Sequence, residues 1–167
     1  QIDKVNYTVI DAKEKITIAD SFVVPQNKIG SGNGEAKLYI GNDNNDLRSF
    51  FGNNGFKISC FLLKKDLIKY LDETKTEYQN PEQPYVRKDE LPNLWQYRRN
   101  EVLGLDEVVK FEVSEQTQIE GPRVYVNSND IAYKLIRKLS LPNITYISII
   151  KLTDGNGHLS YYFRLFC

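Results

Sequence analysis

The end of the chain constrains the fold most. Residues 144–152 and 158–166 are strand-like runs that flank Thr153-Asp154-Gly155-Asn156-Gly157. A Gly- and Asn-rich loop between two such runs is suited to a β-hairpin. Further strand-like runs occur at 5–10, 36–40, 56–63, 108–113 and 123–126, each bounded by Gly, Asn, Asp or Pro. Helical spacing is confined to two segments. Leu67, Ile68 and Leu71 share a face within 66–77, and Ile131, Leu135, Ile136 and Leu139 share one after Ser128, a candidate N-cap. Leu141-Pro142 ends the second helix. Strands dominate and never alternate regularly with helices. The expected fold is therefore α+β: a mostly antiparallel curved sheet, or an incomplete barrel, with two helices. Residues 78–92 carry three prolines and no periodicity, which reads as a long loop, often a functional one.

Composition sets the remaining bounds. At 167 residues with 22 Lys+Arg against 22 Asp+Glu, the chain has the size and balance of a single domain spanning 1–167. Aromatic residues at 12% supply a core, so fibrous and disordered classes fall away. Apolar stretches such as 61–63 and 147–150 run far short of the roughly 18 to 20 residues that span a bilayer. Residues 1–10 show neither a basic start nor an apolar run, so no secretory signal is expected; position 1 is Gln, which leaves trimming open. Two cysteines make no disulfide framework, and a reducing cytoplasm is the expected compartment. Lys, Asn, Ile and Tyr make up a third of the residues, the bias of AT-rich codons. Zero net charge argues against a nonspecific nucleic-acid coat but leaves room for a groove reader with acidic faces elsewhere.

Absences dispose of several chemistries. A single histidine, His158, rules out two-histidine zinc sites, and two cysteines cannot build a CxxC cluster. Cys60 lies in Lys57-Ile58-Ser59-Cys60-Phe61-Leu62-Leu63 and reads as inert buried strand. No cofactor or metal is expected. Asp20 followed by Glu35-Ala36-Lys37 has the layout by which metal nucleases place two carboxylates on Mg²⁺. A chain with 22 acidic residues produces such a triplet often by chance.

Three polar segments point elsewhere. Residues 26–40 pack Gly30, Gly32 and Gly34 ahead of a strand, and Lys28, Ser31, Asn33 and Lys37 beside them can donate to phosphate oxygens. A plain hairpin loop is the rival reading. Pro92-Asn93-Leu94-Trp95-Gln96-Tyr97-Arg98-Arg99-Asn100, preceded by Arg87-Lys88, joins the sole tryptophan to side chains that stack on bases, read guanine and adenine edges or clamp phosphates. Its rival is structural: Trp95 and Leu94 plug a core while Arg98 and Arg99 pair with Glu101 or Asp89. Gln118 and Arg123 belong to a third polar loop, 116–123.

The segments KIGSGNGEAKLYIGNDNNDLRSFF (28–51), LPNLWQYRRNEV (91–102) and the stretch 118–166 resemble the amino-terminal region of bacterial HNH-type restriction endonucleases. In those enzymes this region precedes a ββα-metal nuclease domain, so the resemblance implies a DNA-recognition module whose cutting half lies beyond Cys167. A fainter likeness is to the B3-like DNA-binding domains of restriction endonucleases, curved pseudobarrels that lay two arms in the major groove. It rests on Gly32, Gly34, Tyr39, Ile40, Phe50, Phe51, Gly55 and Phe56. The chain departs from them in its helices. The resemblance implies a cytoplasmic restriction-modification protein that reads sequence or base modification in double-stranded DNA, with a homodimer forming through the full-length protein. The expected DNA contacts are Lys28, Ser31, Asn33, Lys37, Arg87, Lys88, Trp95, Gln96, Arg98, Arg99, Gln118 and Arg123. The alternatives are a self-contained Mg²⁺ nuclease using Asp20, Glu35 and Lys37, and a protein-interaction module.

Overall fold

A computed structural model describes residues 7–18, 22, 37–41, 44–52, 55–79, 91–116, 124–141 and 144–167. In chain order the elements are β1 (Thr8–Thr17), β2 (Leu38–Gly41), α1 (Asn44–Phe51), β3 (Lys57–Leu63), α2 (Lys64–Glu73), α3 (Lys75–Tyr78), α4 (Leu91–Leu103), β4 (Val108–Gln116), β5 (Val124–Asn127), α5 (Ile131–Leu139), β6 (Tyr146–Thr153) and β7 (Leu159–Phe166).

The strands form one seven-stranded sheet in the order β1-β6-β7-β3-β4-β5-β2. Every pairing is antiparallel except β3 with β7. The sheet curls into a nearly closed barrel whose seam, between the end strands β1 and β2, stays unsealed. The expected α+β, mostly antiparallel curved sheet is thus the observed one. The 153–157 loop closes the β6–β7 hairpin as its sequence predicts, with Gly157 at φ +81°, a backbone region that side chains with a Cβ rarely occupy.

Alternation builds the core. Ile58, Cys60 and Leu62 of β3, Phe111 and Val113 of β4, and Tyr161, Phe163 and Leu165 of β7 are buried, while Lys57, Ser59, Lys110, Glu112 and Ser114 between them are exposed. Helices α2 and α5 bring Leu67, Tyr70, Leu71, Tyr133, Ile136 and Leu139 into the same core. Buried tyrosines need hydrogen-bond partners, and backbone carbonyls supply them. Tyr70 and Tyr78 both donate to the Leu139 carbonyl at the end of α5, at 2.8 and 2.5 Å. Those bonds satisfy an oxygen that the last helical turn leaves without an acceptor role. Tyr133 donates to Val126 O at 2.7 Å and Tyr161 to Phe50 O at 2.5 Å.

Five helices occur among the described residues, where the sequence leads one to expect two. Helix α1 shows only one apolar turn, Leu47, Phe50 and Phe51, too little for a periodic signal; Gly52, at φ +126°, ends it. The expected helix over 66–77 divides into α2 and α3, with Thr74 between them turning its hydroxyl onto Tyr70 O. The polar 92–100 cluster and the end of the expected 78–92 loop are helical, and residues 80–90 lie outside the described residues. At α5 the N-cap position is Asp130, and Ser128 Oγ instead accepts from the Asp130 N–H at 3.1 Å.

Candidate nucleic-acid interface

Of the twelve expected contact residues, Lys28, Ser31, Asn33, Arg87, Lys88, Gln118 and Arg123 lie outside the described residues. Asp20 and Glu35 do too. Lys37 is half-buried directly before β2. Trp95, Gln96, Arg98 and Arg99 fall together on α4, which divides them by face.

The inward face is structural. Leu94, Trp95, Arg98 and Val102 form the buried stripe, at the spacing that one side of a helix requires. Trp95 Nε1 donates to Leu71 O at 2.6 Å, satisfying a carbonyl in the last turn of α2. Arg98 Nη1 pairs with Glu101 Oε1 at 2.7 Å. The core-plugging alternative for Trp95 and Leu94 therefore describes their placement.

The outward face carries Gln96, Tyr97 and Asn100, all exposed, Tyr97 at 62%. Gln96 Nε2 donates to Asn100 Oδ1 at 2.9 Å, the pairing that i,i+4 spacing permits. Arg99, half-buried at the edge of this face, donates from Nε to Asp72 Oδ1 at 3.0 Å and lies 5.7 Å from the Trp95 ring. Neither terminal nitrogen of its guanidinium has a partner among the described residues. Tyr97 and Asn100 join Gln96 and Arg99 only because the segment is helical, so a reading of the segment as loop could not select them.

A second polar surface lies on the outer side of the sheet. Strand β5 accompanies β4 only from Ser114 to Gln116 and then turns away. Where it leaves, Asp130 Oδ2 accepts the Glu112 backbone N–H at 2.7 Å in place of a strand carbonyl. Two contiguous clefts open there and share Glu112 and Asp130. One, of about 270 Å³, is lined by Lys57, Ser114, Asn127 and Asn129. The other, of about 450 Å³, is lined by Tyr7, Ser59, Phe61, Lys110 and Ser160. Phe61 stacks on Tyr162 with ring centroids 5.2 Å apart and planes 2° from parallel, and Tyr7 lies 6.3 Å from Phe61 on a tilt of 31°. The Asn127-Ser128-Asn129-Asp130 run is legible in sequence only as a helix start.

Burial pushes the Cys60 thiol well above its ordinary range, which suits an inert core residue. His158 is exposed in the hairpin turn, its Nδ1 3.2 Å from Asp154 Oδ2. Among the described residues no three His, Cys, Asp or Glu side chains are grouped to hold a metal ion. No protein-family model, curated protein or solved structure matches the chain.

Proposed function

We propose that this chain binds double-stranded DNA as the recognition part of a bacterial restriction endonuclease, reading it with the outward face of α4. One observation carries the reading: Gln96, Tyr97, Asn100 and the edge residue Arg99 are presented together on a helix whose opposite side is anchored in the core. Amide side chains pair with adenine edges and arginine with guanine, and an α-helix is the element that the major groove admits. Gln96 and Asn100 bond to one another, and of the four only Arg99 bonds to another element, at Asp72 of α2. The resemblance of 28–51, 91–102 and 118–166 to restriction endonucleases supports the context, and the curved, nearly closed sheet is compatible with the fainter B3-like likeness. On this reading the basic and glycine-rich segments contribute phosphate contacts, and cutting belongs to a separate nuclease domain.

The test is fluorescence anisotropy of labelled random and genomic duplexes titrated with the protein over a salt series. Binding is expected, with the logarithm of affinity falling linearly as the logarithm of salt rises, because each neutralised phosphate releases counterions. Failure to bind any duplex at low salt rejects the proposal. In parallel, plasmid DNA with Mg²⁺ should stay intact. Cleavage that disappears in Glu35→Ala would replace this reading with a metal nuclease built on Asp20, Glu35 and Lys37.

A further inference from the structure

The paired clefts on the outer side of β3 and β4 have no part in the reading assigned to α4. Their origin is a local failure of strand pairing: β5 departs after Ser114, and the Asp130 carboxylate takes over the ladder N–H of Glu112. A strand edge capped by a side chain leaves a recess where the next strand would lie. One oxygen of Asp130 is thus committed to the backbone, and Oδ1 accepts no hydrogen bond among the described residues. Glu112 lies alongside, exposed and 3.1 Å from Lys57 Nζ. The larger cleft, about 450 Å³, falls in the range of small-molecule sites. It combines an aromatic wall, two serine hydroxyls, a lysine and these two carboxylates.

That set selects a ligand class. Carboxylates accept only, so they favour a group with N–H donors and reject one that presents carbonyl oxygen. An aromatic wall favours a flat ring, and Lys110 favours a neighbouring anion. A nucleobase with an exocyclic amine, attached to its phosphate, meets all three demands. The chain also connects the two surfaces, since residues 104–107 lead from α4 directly into β4, whose Val108 lines the larger cleft.

We propose that the cleft receives a single unstacked base that carries an exocyclic amino group, cytosine, adenine or guanine, with Asp130 and Glu112 accepting from that group. This rests on the DNA-binding reading of α4. A base turned out of the helix loses stacking and pairing, and a base that is already unpaired avoids most of that loss.

The experiment is anisotropy with the full chain and labelled duplexes that are fully paired or carry one unpaired cytosine, adenine, guanine or thymine. Unpaired cytosine, adenine or guanine should raise affinity roughly tenfold over the paired duplex, and unpaired thymine should not. Asp130→Asn sharpens the test. Its amide oxygen can keep the Glu112 N–H while its NH₂ becomes a donor toward the cleft, so the preference should shift to thymine, whose O4 accepts. A merely structural Asp130 would lower all affinities together. Glu112→Gln, which leaves the backbone bond to Asp130 in place, should reduce the preference for amino-bearing bases over thymine without reversing it. Equal affinity for paired and all unpaired duplexes overturns the cleft proposal and leaves the α4 reading standing. Absence of binding to every duplex overturns both.

Discussion

Helices α4, of 13 residues, and α5, of 9, are opposite in how they use polar residues. In α5 the inward side is Ala132, Tyr133, Leu135, Ile136 and Leu139, and the one charged residue drawn inside, Arg137, donates from Nε to Phe22 O at 2.8 Å. Its buried polar groups hold the fold together. In α4 the inward stripe holds Trp95 and Arg98, but the outward face presents Gln96, Tyr97 and Asn100, which make no bond to another element among the described residues. The lesson is that polar residues in one sequence cluster can serve separate purposes according to the helix face they occupy. Stability and binding should therefore be separable within α4, residue by residue.

The largest effect should come from the inward face. Trp95→Ala removes a buried indole and the bond to Leu71 O, and should cost about 3 to 5 kcal/mol of unfolding free energy, measured by urea titration. A cost below about 1 kcal/mol would break the division of the helix into faces.

A polar pair that the fold does use gives the next largest effect. Arg48 forks onto Glu115 at 2.5 and 2.7 Å, and the Gly55 N–H adds a bond to the same carboxylate at 2.7 Å, joining the end of α1 and Gly55 to β4. Arg48→Ala should cost about 1 to 3 kcal/mol. Burial alone would raise the Glu115 carboxyl, but the Arg48 and Gly55 bonds prevail and hold it below its ordinary value of 4.5. With its proton held more weakly in the folded state, Glu115 contributes stability above that value that is lost as pH falls through the lowered folded pKa. Unfolding midpoints measured downward from pH 5 should therefore fall less steeply in Glu115→Gln than in the unsubstituted protein. Equal slopes would show that the pair does not set the acid response.

The smallest effect on stability sharpens the comparison from the other side. Gln96→Ala and Tyr97→Ala should each change unfolding free energy by less than about 0.5 kcal/mol, as expected for surface positions with no buried partner.

Legibility in the sequence followed how much of an element's period was written in apolar residues. The terminal hairpin and α5 were readable because Leu135, Ile136 and Leu139 keep a helical stripe, although Ile131, expected on the same face, is 80% exposed, and because the 153–157 loop has turn chemistry. Helix α4 was hidden because Arg98 occupies a core-facing position between Trp95 and Val102, breaking the apolar period, and because a proline in its first turn resembles a loop breaker. Of the candidate site, the residue types at 95–99 were visible in advance, but which of them face outward depended on the helix. The clefts could not be read at all, since they arise where β5 parts from β4, a tertiary event with no local signature.

The most direct measurement combines binding and stability in one variant, Gln96→Ala/Tyr97→Ala/Asn100→Ala, whose three positions are exposed and bond to no other element among the described residues. Duplex affinity by anisotropy should fall at least about tenfold, while the thermal unfolding midpoint stays within a degree or two of the unsubstituted protein. Unchanged affinity would contradict the assignment of DNA reading to the outward face of α4, and an affinity loss matched by a large fall in the midpoint would contradict its separation from the fold.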